Sequence, residues 1–215
     1  MILLKTTTYG EQGLILHTYS LEGGRVNYLI RNRKNNTKFP KGALHPFSIL
    51  AIEEVGKKKP GELKVAKEFH PIYNLDNLRC DIVKTTLTMF LAEVLYRTLN
   101  EGITDKDLYN FIEKSILSLN NLESNYANFH IWFLIAYISK LGFLPDLDTD
   151  SFFSQEEKAL LKTFTNSELN SILLHPLTKD TRFSLCCTLI EYIKLSLGYN
   201  NMEIKSLDVL HQIFR

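Results

Sequence analysis

Arg31, Arg33, Lys34, Lys38 and Lys41 fall within eleven residues with no acid among them. Cations at that density suit a phosphate backbone, because each one displaces a condensed counterion when it meets a phosphate. Asn32, Asn35 and Asn36 add hydrogen-bonding groups to the same stretch, and Phe39 interrupts it. Phe39 and Tyr28 are candidates to stack on unpaired bases, although the alternation around Tyr28 also fits a core position. Lys57, Lys58 and Lys59, followed by Pro60 and Gly61, form a second basic tip. That tip is either a further phosphate contact or a solubilising turn that guards a strand edge. No helix resembles a recognition helix, so base-specific readout is not expected.

Motifs for bond chemistry are missing. The chain has no GxGxxG, no GxxxxGK[ST], no HExxH and no GxSxG, and no nucleophile is paired with a base in a readable signature. His130 lies within an apolar helical stretch and reads as a core histidine held by a hydrogen bond. Cys186 and Cys187 are adjacent on a helix and diverge by about 100°, so they read as small buried hydrophobes and not as a shared zinc site. Asp146, Asp148, Asp150 and Glu157 mimic positions 1, 3, 5 and 12 of a calcium loop, but Ser151 stands where that loop needs glycine. They read as an acidic, solvated loop before a helix, with Ser154 and Glu157 as its capping box. No cofactor, no metal and no enzymatic activity are expected.

The 215 residues carry 45% hydrophobic and 23% charged side chains, an ordinary globular composition with room for a real core. The net charge of +1 conceals a split. Residues 1–70 hold twelve Lys/Arg against six Asp/Glu, while residues 71–215 hold thirteen against eighteen. The basic first part is the one expected to meet a polyanion. Three cysteines make no disulfide framework, and neither a signal peptide nor a membrane span is legible, so a cytoplasmic protein is expected.

The elements that position these residues change character near residue 70. Residues 2–8, 14–19, 25–31, 46–55 and 62–69 read as strands, separated by turn chemistry at 9–13, 22–24 and 56–61. Five strands without an intervening helix suggest a closed or nearly closed OB-like barrel. Residues 82–99 then carry a helical apolar stripe, and Thr104 can cap a second helix. Residues 129–141, FHIWFLIAYISKL, read as a buried helix, followed by helices at 155 onward, 166–174, 178–197 and 206–214. The fold class is therefore α+β: a five-stranded OB-like barrel over residues 1–72 and an all-α helical domain over 73–215.

Several stretches, spread over the chain in order, resemble the RecO family. They are Leu4-Lys5-Thr6 with Tyr9-Gly10-Glu11, Gly24-Arg25 leading to Tyr28-Leu29-Ile30, and the segment LHPFSIL at 44–50. Further on come FLAEVLYR at 90–97, NFHIWFL at 128–134 with LGFLP at 141–145, and EIKSL at 203–207. The resemblance implies a recombination mediator that binds single- and double-stranded DNA and anneals complementary strands. It also implies that, with RecR, the protein helps load RecA onto DNA coated by single-stranded-DNA-binding protein. On that reading Arg31, Arg33, Lys34, Lys38 and Lys41 contact the DNA backbone, joined by Lys57, Lys58 and Lys59. Many members of the family carry a four-cysteine zinc site; the absence of any CxxC here implies a zinc-free variant. Relatives usually have more residues before the first strand, which implies a slightly shortened barrel or an unusual start. Two alternatives are a protein-interaction scaffold without DNA binding and an enzyme with a site near His130 or the loop at 146–150.

Overall fold

The computed structural model describes residues 1–11, 13–31, 41–56, 63–199 and 201–214. Five strands come first: β1 (Ile2–Tyr9), β2 (Gly13–Ser20), β3 (Gly24–Ile30), β4 (Leu50–Glu54) and β5 (Lys64–Pro71). Helices follow: α1 (Asp76–Cys80), α2 (Ile82–Thr98), α3 (Lys106–Asn121), α4 (Phe129–Lys140), α5 (Gln155–Thr165), α6 (Leu169–Leu174), α7 (Lys179–Leu197) and α8 (Ser206–Ile213). The class is α+β, as the residue pattern implies.

The strands lie in the order β1-β2-β3-β5-β4. Neighbours are antiparallel except β3 and β5, which run parallel over only Tyr28↔Lys64 and Leu29↔Val65. The ladder does not close, so β1 and β4 remain its edges. The gap between them is crossed by an isolated Ile2–Ile49 bridge. Backbone bonds flank the bridge: Leu3 N–H donates to the Ser48 carbonyl at 2.8 Å, and Phe47 N–H to the Leu3 carbonyl at 2.7 Å. A mixed five-stranded sheet in this order, curled until its edges touch, is OB-like. Leu3, Leu14, Leu16, Tyr28, Ile30, Leu50, Ala66 and Phe69 fill its interior. β1 is as long as β2, at eight residues each.

Among the boundaries that differ from the sequence reading, two have a clear physical cause. The fourth strand starts at Leu50 and not at 46, because Phe47 turns the chain with a positive φ of 67° and its N–H is bound to Leu3 instead of a ladder partner. That is a costly conformation for a bulky residue, held by complete burial of the ring. The second long helix is capped by Asp105, whose carboxylate accepts from the Leu108 N–H at 2.9 Å, and not by Thr104. The five-residue α1 is too short to carry a periodic signal.

The described chain forms two compact units, Met1–Asn120 and Asn121–Arg215. In the first unit α1 to α3 gather on the sheet. Asp81 caps α2 by accepting from the Val83 and Lys84 N–H groups. Gly24, at φ 62°, meets the backbone of Ile103 so closely that a Cβ would lie 2.2 Å from the Ile103 carbonyl oxygen. Gly24→Ala should therefore unfold at lower urea concentration, by a few kcal/mol in stability; an unchanged midpoint would show that this approach relaxes freely.

In the second unit α4 is buried along most of its length, against α5, α6 and α7. Asn128, itself buried, ties three of its segments together. Its Nδ2 donates to the Ile172 and His175 carbonyls at 3.0 and 2.8 Å, and its Oδ1 accepts from Arg182 Nε at 2.8 Å. The Ser154–Glu157 capping box opens α5, the Thr178 hydroxyl caps α7, and Gly198 ends it at φ 72°. His130 is a fully buried ring stacked on Phe214 at 5.7 Å. Burial, then the nearby Arg182 charge, lower its pKa to about 3, against a hydrogen bond to the backbone at Ala127. The unfolded chain takes up this proton near pH 6.5 and the folded chain does not, so the stabilisation is complete above about 6.5 and is lost as the pH falls from there toward 3. Urea midpoints measured from neutral to acid pH should decline by up to about 1.4 kcal/mol per pH unit from this residue, and His130→Phe should flatten the decline.

Candidate nucleic-acid interface

Strand register decides where the basic segments leave the sheet. Ile30, the last residue of β3, pairs with Leu14 at the start of β2, and Tyr9 at the end of β1 pairs with Gly13. Tyr28 pairs with Lys64 at the start of β5, and the Val55 N–H, just past β4, donates to the Val65 carbonyl at 2.9 Å. The turn between β1 and β2 and the exit from β3 therefore share one end of the sheet, whereas β5 runs parallel to β3, so the exit from β4 and the entry into β5 face the other way, toward the turn between β2 and β3, with Lys64 beside Tyr28. Arg31, one residue beyond β3, is exposed at the β3 exit. Arg33, Lys34, Lys38 and Phe39 lie outside the described residues, as do Lys57, Lys58 and Lys59. Lys41 opens a short 3-10 turn, Lys41–Ala43. The described residues thus root the two basic segments in neighbouring strands, one after the end of β3 and one before the start of β5.

Lysines within the β4–β5 hairpin are differently placed. Lys64 donates to Glu54 at 2.9 Å and Lys67 to Glu53 at 2.7 Å, so local carboxylates already offset both charges. Tyr28 does not face an incoming base: its ring is fully buried in the barrel, and its hydroxyl donates to Glu54 Oε1 at 2.7 Å. Burial first, then the Glu54 bond, push the Tyr28 phenol well above its ordinary pKa. Burial pushes Glu54 up, but the bonds from Lys64 and Tyr28 outweigh it and hold the carboxyl below its usual range.

On the face opposite the barrel core a second cluster forms that the sequence reading missed. Lys5, His17 and Asn27 sit side by side on β1, β2 and β3. Asn27 Oδ1 accepts from His17 Nδ1 at 2.7 Å, which leaves Nε2 to accept from the Thr7 hydroxyl at 3.0 Å. Asn27 Nδ2 and Arg25 both donate to Glu101 Oε1, at 2.9 and 3.2 Å. Tyr96, in the last turn of α2, lies under both Lys5 Nζ (4.8 Å from its centroid) and the Arg25 guanidinium (5.4 Å). Alternation along β1 separates Lys5 from the core, but nothing local in the sequence predicts that Tyr96 comes to meet it.

Other singled-out residues sit elsewhere. Asp146 accepts from the Thr149 hydroxyl, Asp148 pairs with Lys162, and Glu157 serves the capping box and accepts from Thr188. Cys186 is buried, Cys187 half-buried and Cys80 exposed. Among the described residues no group of three or more His, Cys, Asp or Glu could hold a metal ion, and no helix is long and apolar enough to cross a membrane.

Comparison with known proteins bears on this arrangement directly. The pattern described as "Recombination protein O N terminal" matches residues 1–74, and "Recombination protein O C terminal" matches residues 79–163. A DNA repair protein RecO of Azobacteroides pseudotrichonymphae is 30% identical over 99% of this chain and 97% of its own length. The chain belongs to the RecO family. Proteins of the same name from Flavobacterium psychrophilum (28% identical) and Phocaeicola vulgatus (26%) each match over 99% of this chain and 97% of their own lengths. Membership places the chain in DNA repair and recombination, and the OB-like sheet with its basic segments is the N-terminal RecO portion. That portion's stability can be tested at the one buried phenol in its cation–carboxylate network described above. Tyr28→Phe should cost about 1.5–3 kcal/mol in urea unfolding through loss of a hydrogen bond to a charged group, whereas an unchanged midpoint would mean that water replaces the hydroxyl.

Proposed function

We propose that this protein is a recombination mediator that binds single- and double-stranded DNA through the two basic segments of its OB-like sheet. The observation that carries the reading is the pairing of Tyr28 near the end of β3 with Lys64 at the start of β5, which roots two basic segments in neighbouring strands. Arg31, Arg33, Lys34, Lys38 and Lys41 belong to one of the segments rooted there, and Lys57, Lys58 and Lys59 to the other. OB-folds commonly grip nucleic acid across the face of β2 and β3 and with the loops between β1 and β2 and between β4 and β5. Eight cations on two neighbouring segments would neutralise consecutive phosphates and let two complementary strands approach, which is annealing without bond chemistry. The protein acts without a cofactor and not as an enzyme. As the family implies, its partners are RecR, single-stranded-DNA-binding protein and, indirectly, RecA, in the cytoplasm at the nucleoid.

Fluorescence anisotropy with a labelled single-stranded oligonucleotide, across a salt series, tests this. Binding should weaken steeply with salt, and Arg31/Arg33/Lys34/Lys38/Lys41→Ala should lose most of the affinity and reduce the salt slope by up to about 0.7 for each phosphate contact removed. Binding that is absent or indifferent to these substitutions would overturn the reading and favour a scaffold that meets only proteins.

A further inference from the structure

The sheet's outer face carries a feature that the basic segments do not account for. Tyr9, Thr7 and Lys5 alternate onto that face of β1, with the Tyr9 ring 54% exposed and Lys5 also exposed. In register, Tyr9 pairs with Gly13 on β2, and Leu29 on β3 stands beside Ile15, two residues further along. Arg31 continues the alternation of Leu29, so the row at the end of the sheet reads Tyr9, Gly13, Arg31. Gly13 supplies no side chain between the other two. A Cβ there would lie 2.4 Å from the Tyr9 carbonyl oxygen and 3.3 Å from its ring, so the position has to stay bare. The result is a notch at the end of the sheet in which the Tyr9 ring lies against the bare Gly13 backbone, with the exposed Arg31 just beyond β3. Two strand spacings separate the Tyr9 and Arg31 positions by about 10 Å, and Lys5 lies about 13 Å down β1 from Tyr9. Lys5 is held in place over the Tyr96 ring, with Arg25 on the same ring.

We infer that this notch is a single-strand-selective nucleotide site: one unpaired base stacks on Tyr9, Arg31 takes a phosphate beside it and Lys5 takes a further phosphate along the strand. A ring and a cation at this separation match a base and its backbone. A base inside a duplex is already stacked on its neighbours and cannot lie flat on Tyr9 without leaving them. The basic segments meet phosphates of either form, whereas the notch distinguishes the two. This inference rests on the DNA-binding reading above and adds a preference for unpaired strands to it.

The test compares the full-length protein, Tyr9→Ala, Tyr9→Phe and Lys5→Ala on a labelled oligothymidylate and on a labelled blunt duplex of equal length. Urea midpoints confirm that each variant is folded. Tyr9→Ala should weaken single-strand binding about tenfold and leave duplex binding within about twofold, while Tyr9→Phe keeps the native affinity for both. Lys5→Ala should lower the single-strand salt slope by about 0.7. If the native protein binds the single strand through its basic segments but Tyr9→Ala binds both probes as the native protein does, or loses both equally, the notch is not the site and the broader reading stands. If the native protein binds neither probe, the broader reading fails and takes the notch with it.

Discussion

The arrangement depends on a two-residue contact, the parallel pairing of Tyr28 and Leu29 in β3 with Lys64 and Val65 in β5. Antiparallel hairpins would form from local sequence alone, since β1, β2 and β3 are joined by short turns. The parallel contact is non-local, and it fixes which end of the β4–β5 hairpin lies beside the exit from β3. The Tyr28 side chain locks the contact from within: its ring fills the barrel and its hydroxyl reaches Glu54 on β4, which in turn holds Lys64 on β5. One buried phenol thus joins three strands, and the charges it organises are already offset.

Much of this was legible in the residues. Period-two alternation and glycine turns set the first three strands nearly to the residue. The capping box at Ser154–Glu157 and the glycine stop at Gly198 were local patterns with local causes. Other features depend on partners distant in sequence. Phe47 breaks the fourth strand because Leu3 claims its N–H, and no nearby residue announces that. Tyr96 meets Lys5 and Arg25 only because α2 folds back on the sheet. Tyr28 was ambiguous between stacking and core in the sequence, and burial settles it as core. Asp105 takes the cap from the adjacent Thr104, a choice between two competent side chains that depends on where the chain passes Ile103.

The helical unit Asn121–Arg215 is organised by satisfaction of buried polar groups more than by charge. Asn128 uses both ends of its amide to join the starts of α4 and α7 to the end of α6, a role an apolar residue could not fill. His130 stays neutral in the apolar interior, its charged form disfavoured by burial and by Arg182. The acidic side chains at 146–157 spend their oxygens on turns, a lysine and a helix start, so these residues serve the fold.

The central claim is that the two basic segments act as one polyanion site. The most direct measurement is the salt slope of binding to a short oligonucleotide, only long enough to span β3 and β5, for the native protein and for Lys57/Lys58/Lys59→Ala. A shared site predicts that the slope falls by up to about 2, as phosphate contacts on the same short strand are lost. A slope identical to that of the native protein would mean that the second segment meets no phosphate on that strand, and would contradict the account.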